Sequence, residues 1–91
     1  MEKYFVYVLK SKSVDRLYIG FTENLSKRIK EHNYGKVKST KAYLPYELVY
    51  YETFENKTEA RKRELFFKTG IGRKIVKELI TNFQRRGGRA V

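Results

Sequence analysis

Tyr4-Phe5-Val6-Tyr7-Val8-Leu9 and, after a short polar stretch, Leu17-Tyr18-Ile19-Gly20 decide how this chain begins to fold. Both segments consist of aromatic and aliphatic residues that suit a pleated, half-buried surface, and the serines and aspartate at 11–15 supply turn chemistry between them. The pattern predicts a β-hairpin with strands at 3–10 and 16–21. Thr22 or Asn24 can cap a helix directly afterwards, with Leu25 and Ile29 at i and i+4 on one stripe and Lys27, Lys30 and Glu31 facing solvent. That helix should end near Asn33, before Gly35, and residues 34–45, which mix Gly, Ser, Thr and Lys with the single proline Pro45, read as a basic loop.

Tyr46–Phe54 reads as a third strand, with Leu48 and Tyr50 on one side and Val49 and Tyr51 on the other. Thr58 is placed to cap a second helix running to about Thr69, and glycines at 70 and 72 should break it before a short third helix over 73–83. The remainder, 84–91, is basic and without periodicity, as expected of a flexible tail. The order is β-β-α-β-α-α, an α+β domain over 1–83 with an 84–91 appendage.

Composition narrows the class. Ninety-one residues make one small domain that buries only about 60–65% of its unfolded surface. The absence of cysteine excludes disulfides and thiolate metal sites, and the longest apolar run, six residues, cannot span a bilayer or serve as a signal peptide. A cytoplasmic protein with no membrane association is expected. Twenty-one Lys and Arg against ten Asp and Glu leave a net charge of +11, which favours polyanionic partners, nucleic acid first among them. Lys36, Lys38 and Lys41 in the loop and Arg85, Arg86 and Arg89 near the end are placed to follow a phosphate backbone without reading bases; the same charges also suit simple solubility.

Arg28 and His32 lie four apart on the first predicted helix, hence side by side and beside the Leu25/Ile29 stripe. Arginine can fork onto phosphate oxygens and keeps its charge, and histidine can hold an oxygen or carry a proton; the residue types equally allow a solvated arginine and a surface histidine. Tyr7 and Tyr18 suit half-buried strands by packing alone. Glu64 falls between Ala60 and Phe67 on the second helix, so its carboxylate flanks the apolar stripe while Arg61 and Lys62 take the solvated face. It needs a partner there, either Lys68 at i+4 or a metal or substrate.

Together, Phe5-Val6-Tyr7, Tyr18-Ile19-Gly20, Arg28-x-x-x-His32 and a late helical Glu64, in that order, resemble the GIY-YIG nuclease domain over roughly residues 3–80. Tyr18-Ile19-Gly20 matches the family's second tripeptide as written, whereas the first retains only its tyrosine, and Phe21 stands where some branches carry a lysine. The chain is most similar to small stand-alone members, themselves similar to the nuclease domain of the excision-repair incision subunit and to structure-selective recombination nucleases. The resemblance implies a three-stranded antiparallel sheet flanked by helices and metal-assisted hydrolysis of DNA. Glu64 would hold one Mg²⁺ or Mn²⁺ that keeps most of its waters, and Arg28 would neutralise charge on the phosphate. Tyr18 would take a proton from the attacking water with Tyr7 as support, although Tyr7 could exchange roles with it, and His32 would position an oxygen or assist Tyr18. A tyrosine base requires its hydroxyl, ordinarily at a pKa of about 10, to be brought down by neighbouring cations. Without a targeting domain, the expected substrate is branched, flapped or nicked DNA, with a protein partner as another source of targeting. The rival readings are a non-catalytic nucleic-acid binding module and a nuclease subunit active only in a complex.

Overall fold

The structure, a computed structural model, describes residues 3–85. Three strands, β1 (Tyr4–Ser11), β2 (Leu17–Thr22) and β3 (Tyr46–Phe54), form one antiparallel sheet in the order β2-β1-β3. β1 is therefore the middle strand, and successive side chains along it enter two different cores. Val6 and Val8, each fully buried, join Ile19, Val49 and Tyr50 under Ala60, Phe67 and Val76. Tyr7 and Leu9 point the other way, packing with Tyr46, Leu48, Leu25 and Ile29.

These two clusters define the layers. Helix α1 (Leu25–Asn33) covers one face; α2 (Lys57–Phe67) and α3 (Gly70–Arg85) cover the other. The β-β-α-β-α-α order and the α+β class agree with the sequence reading, with four local corrections.

The first concerns β3. Its register against β1 slips between Val8 and Leu9, where Val8 faces Tyr50 and Leu9 faces Leu48, so that Val49 is an extra residue in a bulge. Tyr50 consequently joins Val49 in the α2/α3 core, and Tyr51 joins Leu48 on the α1 side, which breaks the simple alternation predicted for this strand. Once turned inward, Tyr50 packs edge-on against Phe67 and Phe83 and donates to Glu52, whose carboxylate is held bidentately by Arg63 at 2.9 and 3.1 Å.

Second, Asn56, not Thr58, caps α2: its backbone is extended and its Oδ1 accepts from the Glu59 N–H at 3.1 Å, which starts the helix two residues earlier than predicted. Third, α3 is a 16-residue helix whose first turn contains both glycines. The Thr69 hydroxyl accepts from the Gly72 N–H at 2.9 Å, and a Cβ at Gly72 would lie 1.8 Å from the Phe66 carbonyl oxygen. The glycine read as a helix breaker is there because the two helices touch backbone to backbone. Fourth, α3 extends through Gln84 and Arg85, two residues beyond the expected start of the tail; Arg86 and Arg89 lie outside the described residues.

Candidate active site

Asn24 positions α1. Its Oδ1 accepts from the Lys27 N–H at 3.1 Å, and the Thr22 hydroxyl accepts from the Asn24 N–H at 3.2 Å, so both residues proposed as caps take part in one junction. From that start the helix presents Leu25 and Ile29 to the sheet. One turn later it inserts His32, which is fully buried; it is no surface histidine.

His32 Nε2 lies 2.9 Å from the Tyr7 hydroxyl oxygen and His32 Nδ1 lies 2.9 Å from the Thr40 hydroxyl oxygen. Its ring meets that of Tyr18 edge-on at 4.8 Å and that of Tyr7 at 5.8 Å. Tyr7 and Tyr18 themselves stand 6.2 Å apart. Room for the Tyr7 hydroxyl exists because its cross-strand partner is Gly20: a Cβ there would fall 2.6 Å from that oxygen. Glycine in the Tyr-Ile-Gly tripeptide thus serves its neighbour, not its own backbone.

The electrostatics follow from burial. Tyr7 is only 1% exposed, and desolvation pushes its phenol above the ordinary value, with hydrogen bonding from the Arg28 guanidinium opposing the rise. This is the reverse of the lowering that a tyrosine base requires. Burial, together with the Arg28 charge, drops the pKa of His32 from 6.5 to about 4, so the ring is neutral near pH 7. Arg28, half-exposed, pairs with Glu31 at 3.0 Å; the nearby Tyr7 hydroxyl and then the Glu31 carboxylate raise its pKa. Glu31 is accordingly half-buried against Arg28 instead of facing solvent, while Lys27 and Lys30 are exposed as expected. Outside Arg28 opens a shallow cleft of about 390 Å³ bordered by Phe21, Thr22, Asn24, Lys27 and Lys57.

Glu64 comes from α2, across the sheet. It is buried beside Ala60 and Phe67, as the helix wheel required, and its charge reaches Tyr7, where it adds to the raised pKa. Its two oxygens are both engaged, one by Arg61 at 2.6 Å and the other by Lys68 at 3.0 Å. The i+4 spacing offers the Lys68 partnership; Arg61 is exposed on the solvated face, as expected, and from there also reaches Glu64 one turn on, with its guanidinium 6.0 Å from the Phe21 ring. No cluster of three or more His, Asp or Glu side chains suited to a metal occurs among the described residues. A lone carboxylate is a hard oxygen donor that fits a single Mg²⁺ or Mn²⁺ retaining most of its waters, and the two cations now on it are about half-exposed.

The sequence-predicted residues separate into two groups. Tyr7, Tyr18 and His32 form one contact cluster, and the charges of Arg28 and, least, Glu64 act on the Tyr7 phenol. Lys36, Lys38 and Lys41 are exposed on the loop before β3. Arg85 closes α3, whose final turns lay Phe83 on Tyr50 and Tyr51 of β3, at the sheet edge opposite β2. Sequence reasoning missed Thr40, hidden in a loop of ordinary polar composition, and Arg61, whose i−3 spacing from Glu64 was a usable signal.

A hairpin carrying two tyrosines, an Arg/His helix and a helical glutamate across a small sheet are the parts of a nuclease-type catalytic domain, and the chain belongs to the GIY-YIG family: residues 3–75 match its catalytic domain. It is similar to the UPF0213 protein of Clostridium perfringens, 52% identical over 65 residues that make up 70% of this chain and 69% of that one. It is also similar to the UPF0213 protein YazA of Bacillus subtilis, 42% identical over 97% of this chain and 87% of the relative. The solution NMR structure of a UPF0213 protein from Bacillus halodurans superposes with a TM-score of 0.54 at 31% identity, covering 85% of this chain and 84% of that one.

Proposed function

We propose that this protein is a metal-dependent endonuclease that hydrolyses DNA phosphodiester bonds and acts on branched, flapped or nicked DNA. The observation that carries this reading is the connected cluster in which Tyr7 bonds to His32 at 2.9 Å while half-exposed Tyr18 and Arg28 stand beside it, Arg28 bordering the cleft.

Tyr7 is sealed from water and its hydroxyl is held by His32, so it serves as support. Tyr18 is half-exposed and touches the same imidazole, which makes it the tyrosine able to meet an attacking water and accept its proton. Arg28 sits at the rim with Glu31 as a weak tether, ready to neutralise charge that builds on the phosphate oxygens. Neutral His32 fixes the orientation of both tyrosines. Glu64 would hold the Mg²⁺ or Mn²⁺ after exchanging Arg61 and Lys68 for it. The bound ion supplies Lewis-acid polarisation of the phosphate. Lys27 and Lys57 along the cleft, with the loop lysines 36, 38 and 41 and Arg85, would follow a strand by charge alone.

A second reading, a nucleic-acid binding module that does not cut by itself, draws on one specific observation: both oxygens of Glu64 are already engaged by protein cations. One experiment separates the two. Wild type and Glu64→Ala are incubated with end-labelled single-stranded, duplex, flap and four-way-junction DNA of shared sequence, with Mg²⁺, with Mn²⁺ and with chelator. Metal-dependent cutting that disappears in the variant is the expected result, faster on branched than on linear substrates. Equal rates on all substrates would remove the structure selectivity, and binding without cutting would favour the module or a subunit that requires a partner.

A further inference from the structure

Thr40 is the second partner of His32. It reaches the imidazole from the loop between α1 and β3, just before the 3₁₀ turn at Lys41–Tyr43. Its residue is fully buried. The Thr40 hydroxyl oxygen is 2.9 Å from His32 Nδ1 and 3.3 Å from the Val37 carbonyl oxygen, and the same carbonyl accepts the backbone N–H of Thr40 at 3.1 Å and of Lys41 at 3.0 Å. The turn therefore fixes where the hydroxyl sits.

A threonine hydroxyl has one proton to give, and a carbonyl can only accept. If the Thr40 proton goes to Val37, its oxygen offers His32 a lone pair, and Nδ1 must carry the hydrogen. The other end of the ring agrees. The Tyr7 hydroxyl is buried and lies 2.9 Å from His32 Nε2. Were Nε2 protonated, that buried tyrosine proton would find no acceptor on the ring; with Nε2 bare, every polar atom in the chain Tyr7, His32, Thr40, Val37 is satisfied.

We propose that Thr40 is a positioning residue that holds His32 as its Nδ1–H tautomer, so that the bare Nε2 accepts from Tyr7. The consequence for catalysis rests on the reading of this cluster as a nuclease site; the tautomer itself does not. The loop that carries Lys36, Lys38 and Lys41 thereby has a second task, which is to build the inner wall of the site.

His32 is the chain's only histidine, so ¹⁵N-labelled imidazole gives an unobstructed NMR readout of the DNA-free protein. The hydrogen is expected on Nδ1 in wild type and in Thr40→Ser. In the near-isosteric Thr40→Val the signal should shift towards Nε2–H or a mixture, and DNA cleavage should fall roughly 10- to 100-fold in kcat with unchanged affinity for DNA, the range found for outer partners of metal-bound histidines. Thr40→Cys, close in size and a weak hydrogen-bond partner, takes its place if the valine variant does not fold. An Nε2–H signal in wild type would overturn the proposal, and so would a folded Thr40→Val that keeps Nδ1–H. If the tautomer shifts as expected while no form of the protein cuts DNA, the positioning role stands and the nuclease reading falls.

Discussion

His32 shows how burial changes what a residue can do. The unfolded chain takes up a proton on it near pH 6.5, whereas the folded chain accepts none until about pH 4, so the unfolded state binds more protons between those values. Stability from this group is complete above pH 6.5 and is lost progressively as the pH falls to 4, by at most on the order of 3 kcal/mol. Melting temperature measured from pH 7 to pH 4 should decline steeply, and the slope should flatten in His32→Gln, which cannot titrate. An imidazole that titrates near 6.5 by NMR would contradict the burial described here. Glu64 leads to a different expectation. Its removal returns two half-exposed cations to water instead of leaving a buried charge unpaired, so Glu64→Gln should change stability by about 1 kcal/mol or less in chemical denaturation while eliminating any metal-dependent activity.

At the level of elements, close approaches set the tolerances. Gly20 on β2 and Gly72 on α3 are both sites where a Cβ has no place, but for different neighbours. Gly20→Ala meets the Tyr7 hydroxyl at 2.6 Å, the end of a side chain, and should cost about 1–3 kcal/mol while separating Tyr7 from His32. Gly72→Ala meets backbone at 1.8 Å, which cannot rotate aside, and should cost about 3 kcal/mol or more by prising α3 from α2. Denaturation midpoints of the two variants test the order; a Gly72→Ala protein as stable as wild type would mean that the helices meet otherwise than described. The caps are smaller effects: Asn56→Ala should cost about 1 kcal/mol, with Thr58→Ala close to neutral.

Seen whole, the molecule is a three-layer sheet and helix domain with a Cα radius of gyration of 12.5 Å and a net charge of +11. Binding to DNA should therefore weaken steeply with salt. Replacing Lys36, Lys38 and Lys41 by glutamine should reduce the slope of log K against log salt by about 0.9 for each lysine that touches a duplex phosphate. A slope unchanged in the triple variant, measured by fluorescence anisotropy, would assign those lysines to solubility. Among the described residues no helix is long and apolar enough to cross a membrane.

Much of this was legible before any coordinates. The run from Tyr4 to Leu9, the Tyr18-Ile19-Gly20 tripeptide and the capping residues after it determined the hairpin and the first helix, because strand alternation, helical spacing and caps are local in sequence, whereas Tyr7, Tyr18, Arg28, His32 and Glu64 stood out as the residues to watch only through their joint resemblance to the GIY-YIG pattern. Tertiary structure alone decided the rest. The bulge at Val49 responds to the register of β1, and Gly72 to the backbone of Phe66, neither of which is a sequence neighbour. His32 is neutral because the sheet and the 34–45 loop close over it, Thr40 matters because a turn brings it eight residues back to the imidazole, and Arg61 reaches from the solvated face to Glu64 because that carboxylate is buried and needs its charge. Long-range burial sets protonation and partnership, and no periodicity along the chain encodes it.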